Sequence, residues 1–438
     1  MVLGCGFPRV GTVHEPLRHL HRQGRPGHGR LRSVPAPDVA ALLAELERSE
    51  PGHAGHARDA IDRLTGGEPL ETLTELTVCE FLWYTLPTQV AGDRGAVATA
   101  LGRLLELGGL GRYAALCSSP LTARILRTYE RSGEEAGTAA CRRALDATGL
   151  LPPDLPELRW SSIMGPEELG AHGACSAALE LARVCGEPAV DSAAGREALT
   201  HRWLTEPRAD LGGDSWLHRV RGERLNRWVL GRGAAWRELA QPFEAHLHAP
   251  VPAPAGTFLA ALRWLLELGR RPDGIPLPQD RDPARPAPDG SRWSDGELEA
   301  ARELAEGRMG ALRRAGRRLV TTREGRRLLG DRDLLWETAS AALLAPAPGE
   351  DAFRASAREA ALMLLAEGAP ADRDRVAGVV GRGEGRAREV DAVLADLARR
   401  LAAFGLRTGG RLTPAGRSAA LAALRSHALR PRTYAKAS

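Results

Sequence analysis

Lysine is almost missing from this chain. Of its 438 residues only Lys436 is a lysine, and every other member of the 60 Lys and Arg is arginine. A Walker-type phosphate loop, a Schiff-base enzyme and a protein kinase each need a well-placed lysine, so all three are excluded. Cysteine is sparse: Cys5, Cys79, Cys117, Cys141, Cys175 and Cys185 are scattered without a CxxC pair. Such spacing does not build a disulfide framework and suits a reducing compartment, so a cytoplasmic location is expected. Aromatic residues make up 4%, which leaves core packing to Leu, Ala and Val. No apolar run approaches the roughly 20 residues of a membrane span, so no membrane partner is expected. Residues 1–35 lack the apolar segment of a signal peptide.

What is present is a hydrophobic fraction of 43%, enough for ordinary cores. The length suggests two to four domains at roughly 100–200 residues each. The formal charge of +5 is unevenly spread. Residues 1–35 carry six Arg and one Glu, residues 36–250 carry 22 basic and 30 acidic groups, and residues 251–438 carry 32 basic and 24 acidic. An acidic middle and a basic end admit an anionic partner at the C-terminal end, or attraction between the two regions. Richness in Ala, Arg, Gly and Pro reflects coding bias in part, so the placement of the arginines carries more than their number.

The segment 1–36 is rich in Gly, Pro, Arg and His and reads as a disordered arm. From Pro37 the pattern turns helical. Asp38 can cap VAALLAELERS, where Val39, Leu42, Leu43 and Leu46 share a face. Further helices are expected at about 56–65, 70–85, 93–108, 119–131, 134–148, 166–185, 194–205, 216–230 and 234–247, punctuated by Pro87, Gly108-Gly109, Pro152-Pro153 and Gly212-Gly213. EFLWYTLP (80–87) is the densest aromatic patch and reads as core packing, as do Trp203, Trp216, Trp228 and Trp236. Residues 37–250 are therefore expected to form an all-helical domain, with Pro250, Pro252 and Pro254 marking its end.

Two related stretches follow. In the first, a helix at 257–269 and a polar loop lead to Ser294, which stands three residues before Glu297 in capping-box spacing and starts a helix at 295–306. Arg318-Leu319-Val320-Thr321 has strand character, and Thr322 can cap the next helix. In the second, helices at 352–367 and 387–404 precede GLRTGGRLTPAGR. There Gly409-Gly410 turn between short strands and Thr413 caps a helix with Pro414 at its first position. Both stretches contain T-x-x-G-R after an extended Arg-Leu. The order helix, helix, hairpin, capped helix is the plan of a winged helix. The expected fold is mainly helical (all-α) with short β-hairpin wings, and two tandem winged-helix-like modules at 251–345 and 346–430 before a tail at 431–438.

RLTPAGRSAAL (411–421) resembles the wing strand and following helix of bacterial winged-helix regulators of the MarR and PadR type. GIPLPQ (274–279) with RRLVTTREGRRLLGDRDLLW (317–336) is similar to a group of actinobacterial helical proteins with the same tail. The resemblance spans about the last 170 residues and implies a fold. WLTEPRADLGG (203–213) resembles the Leu-Gly-Gly turn of Xre/MbcA/ParS-type antitoxins, but continues as DSWLH where that family has a Thr or Ser and a Pro.

Residues 313–327 hold seven Arg and one Glu. Such a cluster is either a solvated basic edge or a salt-sensitive contact to phosphates. The neighbouring helix argues against reading bases: Asp295, Glu297, Glu299, Glu303 and Glu306 stand against Arg302 alone, and carboxylates repel phosphate. In the second stretch Arg388, Arg399 and Arg400 are expected on the surface beside Glu389, Asp391 and Asp396. If nucleic acid binds, contact is expected from the wings, through Arg313, Arg314, Arg317, Arg318, Arg407 and Arg411, to the backbone without base recognition.

VAGVVGRGEGR (376–386) has Gly at 381, 383 and 385 with Arg386 at the third required Gly position, and reads as a turn between helices rather than a dinucleotide loop. His53 with His56, and His246 with His248, lie outside any zinc spacing, and no metal or other cofactor is expected. No G-x-S-x-G elbow occurs, and no enzyme is expected. Two readings stand: a cytosolic, non-enzymatic regulator whose wings contact DNA, and a helical scaffold whose winged helices bind protein.

Overall fold

The computed structural model describes residues 38–255, 258–276, 293–347, 349–381 and 386–433. The expected arm at 1–36 and most of the polar loop before Ser294 lie outside them. The described residues are mainly helical, with two small antiparallel sheets. They divide into two compact units: one ends at Val220 and is rejoined by the chain from Pro431, and the other is Arg221–Arg430.

The first unit begins with α1 (Val39–Ser49) and α2 (Pro51–Thr65). The Asp38 side chain accepts from Ala40 N at 3.1 Å and starts α1 as its sequence suggests. Next, α3 (Glu75–Glu80) opens with a Thr74/Thr77 capping box and runs through one π turn, Phe81–Thr85, into α4 (Leu86–Gln89). Pro87 was expected to stop the helix. Its ring crowds the carbonyl four residues back, and the chain answers by widening: Leu86 N–H reaches Phe81 O, five residues away. The aromatic patch is core, as expected. Phe81, Leu82 and Trp83 are buried, and Trp83 Nε1 donates to Thr122 Oγ1 at 2.8 Å. A helix that the sequence did not announce, α6 (Gly111–Cys117), follows α5 (Arg94–Leu107) and packs on it. The long α7 (Pro120–Thr148) is broken at Gly133, whose φ of 83° and ψ of 179° are non-helical, between the two expected helices. These elements enclose one core, and α8 (Pro166–Val184), α9 (Ala193–Thr205) and the start of α10 (Trp216–Leu230) enclose smaller ones. The returning tail is pinned here: Ser162 N donates to Arg432 O at 2.7 Å, and Arg432 N to Ser161 Oγ at 2.9 Å.

The expected division at residue 250 differs from the observed one at 220. The reason is a pair of tryptophans. Trp228 and Trp236 are buried in edge-to-face contact at 6.3 Å, and Trp236 Nε1 donates to Trp228 O at 2.9 Å. They draw the end of α10 and all of α11 (Ala234–Leu247) into the core of the second unit, where α11 packs on three later helices.

That unit continues with α12 (Ala260–Gly269), β1 (Ile275–Pro276), α13 (Asp295–Gly307), β2 (Leu312–Ala315), β3 (Arg318–Thr321), α14 (Arg323–Gly330) and α15 (Arg332–Leu344). The sheet order is β1-β3-β2, all antiparallel, with Ile275 opposite Leu319 and Leu312 opposite Thr321. Then come α16 (Ala352–Ala366), α17 (Arg373–Val380), α18 (Arg386–Ala403), β4 (Arg407–Thr408), β5 (Arg411–Leu412) and α19 (Pro414–Ala428). The turn expected over 376–386 is not found at its start, and its residues 382–385 lie outside the described ones. Residues 376–380 are helical, because Asp372 caps α17 through Arg375 N at 2.9 Å and Val376 is fully buried.

The two halves of this unit share one joint. Thr322 N and Oγ1 both reach Ala311 O, at 3.0 and 3.3 Å, while Thr322 Oγ1 accepts from Gly325 N at 3.0 Å. In the second half Thr413 N and Oγ1 reach Leu406 O at 3.0 and 3.3 Å, and Thr413 Oγ1 accepts from Gly416 N at 3.0 Å. The shared T-x-x-G therefore closes the base of each hairpin and caps the next helix with one hydroxyl. Glycine is required at its fourth position. A Cβ there would stand 2.2 Å from Ala311 O in the first joint and 2.0 Å from Leu406 O in the second. Across the two halves α13 packs on α18 and α15 on α19.

Candidate nucleic-acid interface

The first hairpin turns at Gly316-Arg317. Gly316 has a φ of 61° and Arg317 does not share its sign, the pattern of a tight two-residue hairpin turn. Strand alternation sorts the side chains. Leu312, Arg314, Leu319 and Thr321 share one face, and all but Arg314 are buried. Thr321 Oγ1 donates to Leu266 O at 2.6 Å and ties that face to α12. Arg313, Ala315, Arg318 and Val320 share the other face.

The six candidate arginines do not behave alike. Arg313 and Arg317 are exposed and have no ion pair among the described residues. Arg318 is exposed, with Asp273 at 3.7 Å, a surface pairing of little energy. Arg314 bends back to α13, where its Nε donates to Glu306 Oε1 at 3.0 Å. In the second hairpin Gly409 and Gly410, with φ of 57° and 83°, make the turn. Arg411 is exposed beside Thr408, while Arg407 pairs with buried Leu412 and is half-buried. The structure thus gathers Arg313, Arg317 and Arg318 on one hairpin and leaves Arg411 on the other, with Arg314 and Arg407 turned toward their own fold.

The acidic α13 is not the bare negative surface its sequence suggests. Glu297 closes the capping box, accepting from Ser294 N at 2.9 Å. Glu299 pairs with Arg302, and this hydrogen bond holds its carboxyl below the usual range. Glu306 takes both Arg302 at 3.5 Å and Arg314, and Glu303 faces Arg399 of α18 at 3.5 Å. The opposite face of α13 buries Ala300, Ala301, Leu304 and Ala305, and α18 buries Val390, Val393, Leu397 and Leu401. These two helices pack on each other along one face, and Glu299 and Glu303 of α13 and Arg388, Ala392, Ala395 and Arg399 of α18 stay exposed.

One expected surface group is inside. Arg400 is 7% exposed. Its Nη2 meets Asp396 at 2.8 Å, and its Nη1 donates to Leu343 O at 3.1 Å, closing the carbonyl end of α15. Burial, with Arg358 nearby, pulls its pKa down. Arg358 is also buried, paired with Glu350. Nothing in the local sequence distinguishes these arginines from surface ones.

His53 lies 3.6 Å from Glu50, and His246 Nδ1 meets Pro242 O at 3.1 Å. Among the described residues no group of three or more His, Cys, Asp and Glu is placed to hold a metal, and no helix is long and apolar enough to cross a membrane. Comparison with family models, curated proteins and solved structures finds no match to this chain.

Proposed function

We propose that the second unit is a fused pair of winged-helix modules in a non-enzymatic regulatory protein of the cytosol, and that its hairpins contact the phosphate backbone of duplex DNA. The element order supports the first part: α12, β1, α13 and then β2–β3, with β3 in the middle of the sheet, follows the winged-helix plan. The free thiols Cys79, Cys117, Cys141, Cys175 and Cys185 agree with a reducing compartment. The observation that carries the DNA reading is the placement of Arg313, Arg317 and Arg411 on exposed hairpins without carboxylate partners among the described residues. The contact is sequence-independent in this reading, since the exposed face of α13 carries Glu299 and Glu303, which repel phosphate.

The test is fluorescence anisotropy with a random-sequence duplex over a range of salt. Four phosphate contacts, from Arg313, Arg317, Arg318 and Arg411, give a log–log slope of roughly −3 to −4. Arg317→Glu with Arg318→Glu lowers that slope by about 2 while circular dichroism stays unchanged. No binding at low ionic strength overturns the reading. A second one, docking of a protein on the modules, is favoured by the occupied carboxylates of α13, and predicts that absence of DNA binding.

A further inference from the structure

In the second unit a cleft of about 470 Å³ opens at the start of α16, a volume suited to a small molecule. Two arginines line it. Arg232, from the link between α10 and α11, lies 4.1 Å over the Trp236 ring, and Arg386, at the start of α18, lies 4.1 Å over the Phe353 ring. Arg232 Nη1 is also 3.5 Å from Ser356 Oγ. Phe353 and Ser356 are three residues apart on α16, so they share a face. The helix therefore brings two guanidinium groups to adjacent positions of one wall.

Their counter-charges are unequal. Arg232 Nη1 meets Glu359 Oε2 at 2.5 Å, and Glu359 is fully buried, also accepting from Trp228 Nε1 at 2.5 Å with His427 Nε2 at 3.2 Å. Arg386 has no ion pair among the described residues. Asp351 lines the cleft but caps α16, accepting from Arg354 N at 2.8 Å. Stacking on a ring holds a guanidinium by its face and leaves its N–H edge free to donate in plane, the geometry that grips an oxyanion. Val379 and Val380 add apolar groups to the lining.

We propose that this cleft binds a small organic oxyanion, a carboxylate or phosphate monoester. Its head lies between Arg232 and Arg386, and its apolar body rests on Phe353, Val379 and Val380. The site is separate from the hairpins and does not depend on nucleic-acid binding. Isothermal titration calorimetry of the full chain in phosphate-free buffer tests it, with benzoate and phenyl phosphate as probes and inorganic phosphate as the head group without a body. The expected result is saturable binding of benzoate or phenyl phosphate, about tenfold or more tighter than inorganic phosphate. Which of the two binds better separates the carboxylate from the phosphate source. Arg386→Gln weakens binding by about tenfold, as loss of one charge-assisted contact does, and Arg317→Gln on the hairpin leaves it unchanged. Val380→Glu, which adds a carboxylate to the apolar lining, abolishes binding by a route that leaves both arginines in place. No saturable heat with either organic acid overturns the proposal. So does unchanged affinity in Arg386→Gln or Val380→Glu, or equal affinity for inorganic phosphate.

Discussion

Alanine at Gly416 should destabilise the second unit, although alanine is the better helix former. On propensity alone the exchange gains up to about 1 kcal/mol. A Cβ at Gly416, however, would stand 2.0 Å from Leu406 O, where ordinary contact begins near 3.4 Å, so the start of α19 must retreat by roughly 1.4 Å. The oxygen it meets is already held by Thr413 N and Thr413 Oγ1. Retreat gives up two hydrogen bonds of about 1 kcal/mol each. Overpacking adds about 1–3 kcal/mol if the helix does not move. The retreat outweighs the propensity gain, for a net loss of about 1–2 kcal/mol. In a unit of this size that lowers the melting temperature by roughly 2–8 °C. Gly325→Ala meets Ala311 O at 2.2 Å and should behave alike. Gly378→Ala is the control: it lies within α17, is exposed, and a Cβ there meets nothing within 4 Å. It should stabilise by about 0.5–1 kcal/mol. Differential scanning calorimetry, with urea titration of tryptophan fluorescence, measures all three. If Gly416→Ala melts as high as Gly378→Ala, the shared joint does not close the hairpins as described.

Other consequences can be measured on the same protein. Burial alone raises the Glu80 carboxyl to about 7, above its ordinary 4.5, so its favourable share of stability is present at acid pH and is lost as pH rises through 7. Between pH 5 and 8 the first unit should lose about 1–3 kcal/mol through this group, and Glu80→Gln should flatten that loss in denaturation curves. His172 lies edge-on to Trp160 at 5.0 Å, and burial lowers its pKa to about 4 despite Glu168 nearby. Its imidazole is neutral in the fold, so stability falls as pH drops from about 6.5 toward 4, and His172→Phe should remove about 1–3 kcal/mol of that acid sensitivity. Burial pushes the Glu359 carboxyl up, but His427 and Arg232 outweigh it and hold the group below its usual range. Glu359→Ala should cost the second unit about 2–4 kcal/mol in equilibrium unfolding, and a loss under about 0.5 kcal/mol would show that the cluster adds nothing.

The hairpins were legible because their determinants are local. Thr322 and Thr413 each cap a helix and close a strand pair within a dozen residues, so one short string records both tasks. The helix α13 was legible for the same reason, through Ser294 and Glu297. The division between units was hidden, because Pro250 and Pro254 punctuate a stretch while Trp228 and Trp236 decide which core it joins, through contacts far along the chain. So too for α17, whose Val and Gly content speaks against a helix until Val376 finds the core. The candidate arginines lie on the two hairpins, yet their partners were not readable. Arg314 and Glu306 are eight residues apart, but Arg399 and Glu303 lie on helices far apart along the chain. The cleft beside α16 left no local trace, since Arg232 and Arg386 meet only in space.

Matched halves that lie on one polypeptide meet at a concentration set by their tether, not by how much protein the cell makes. Dilution cannot separate α13 from α18, as it would two free subunits. The contact between them is asymmetric in charge: Glu303 of the acid-rich α13 faces Arg399 of the mixed-charge α18.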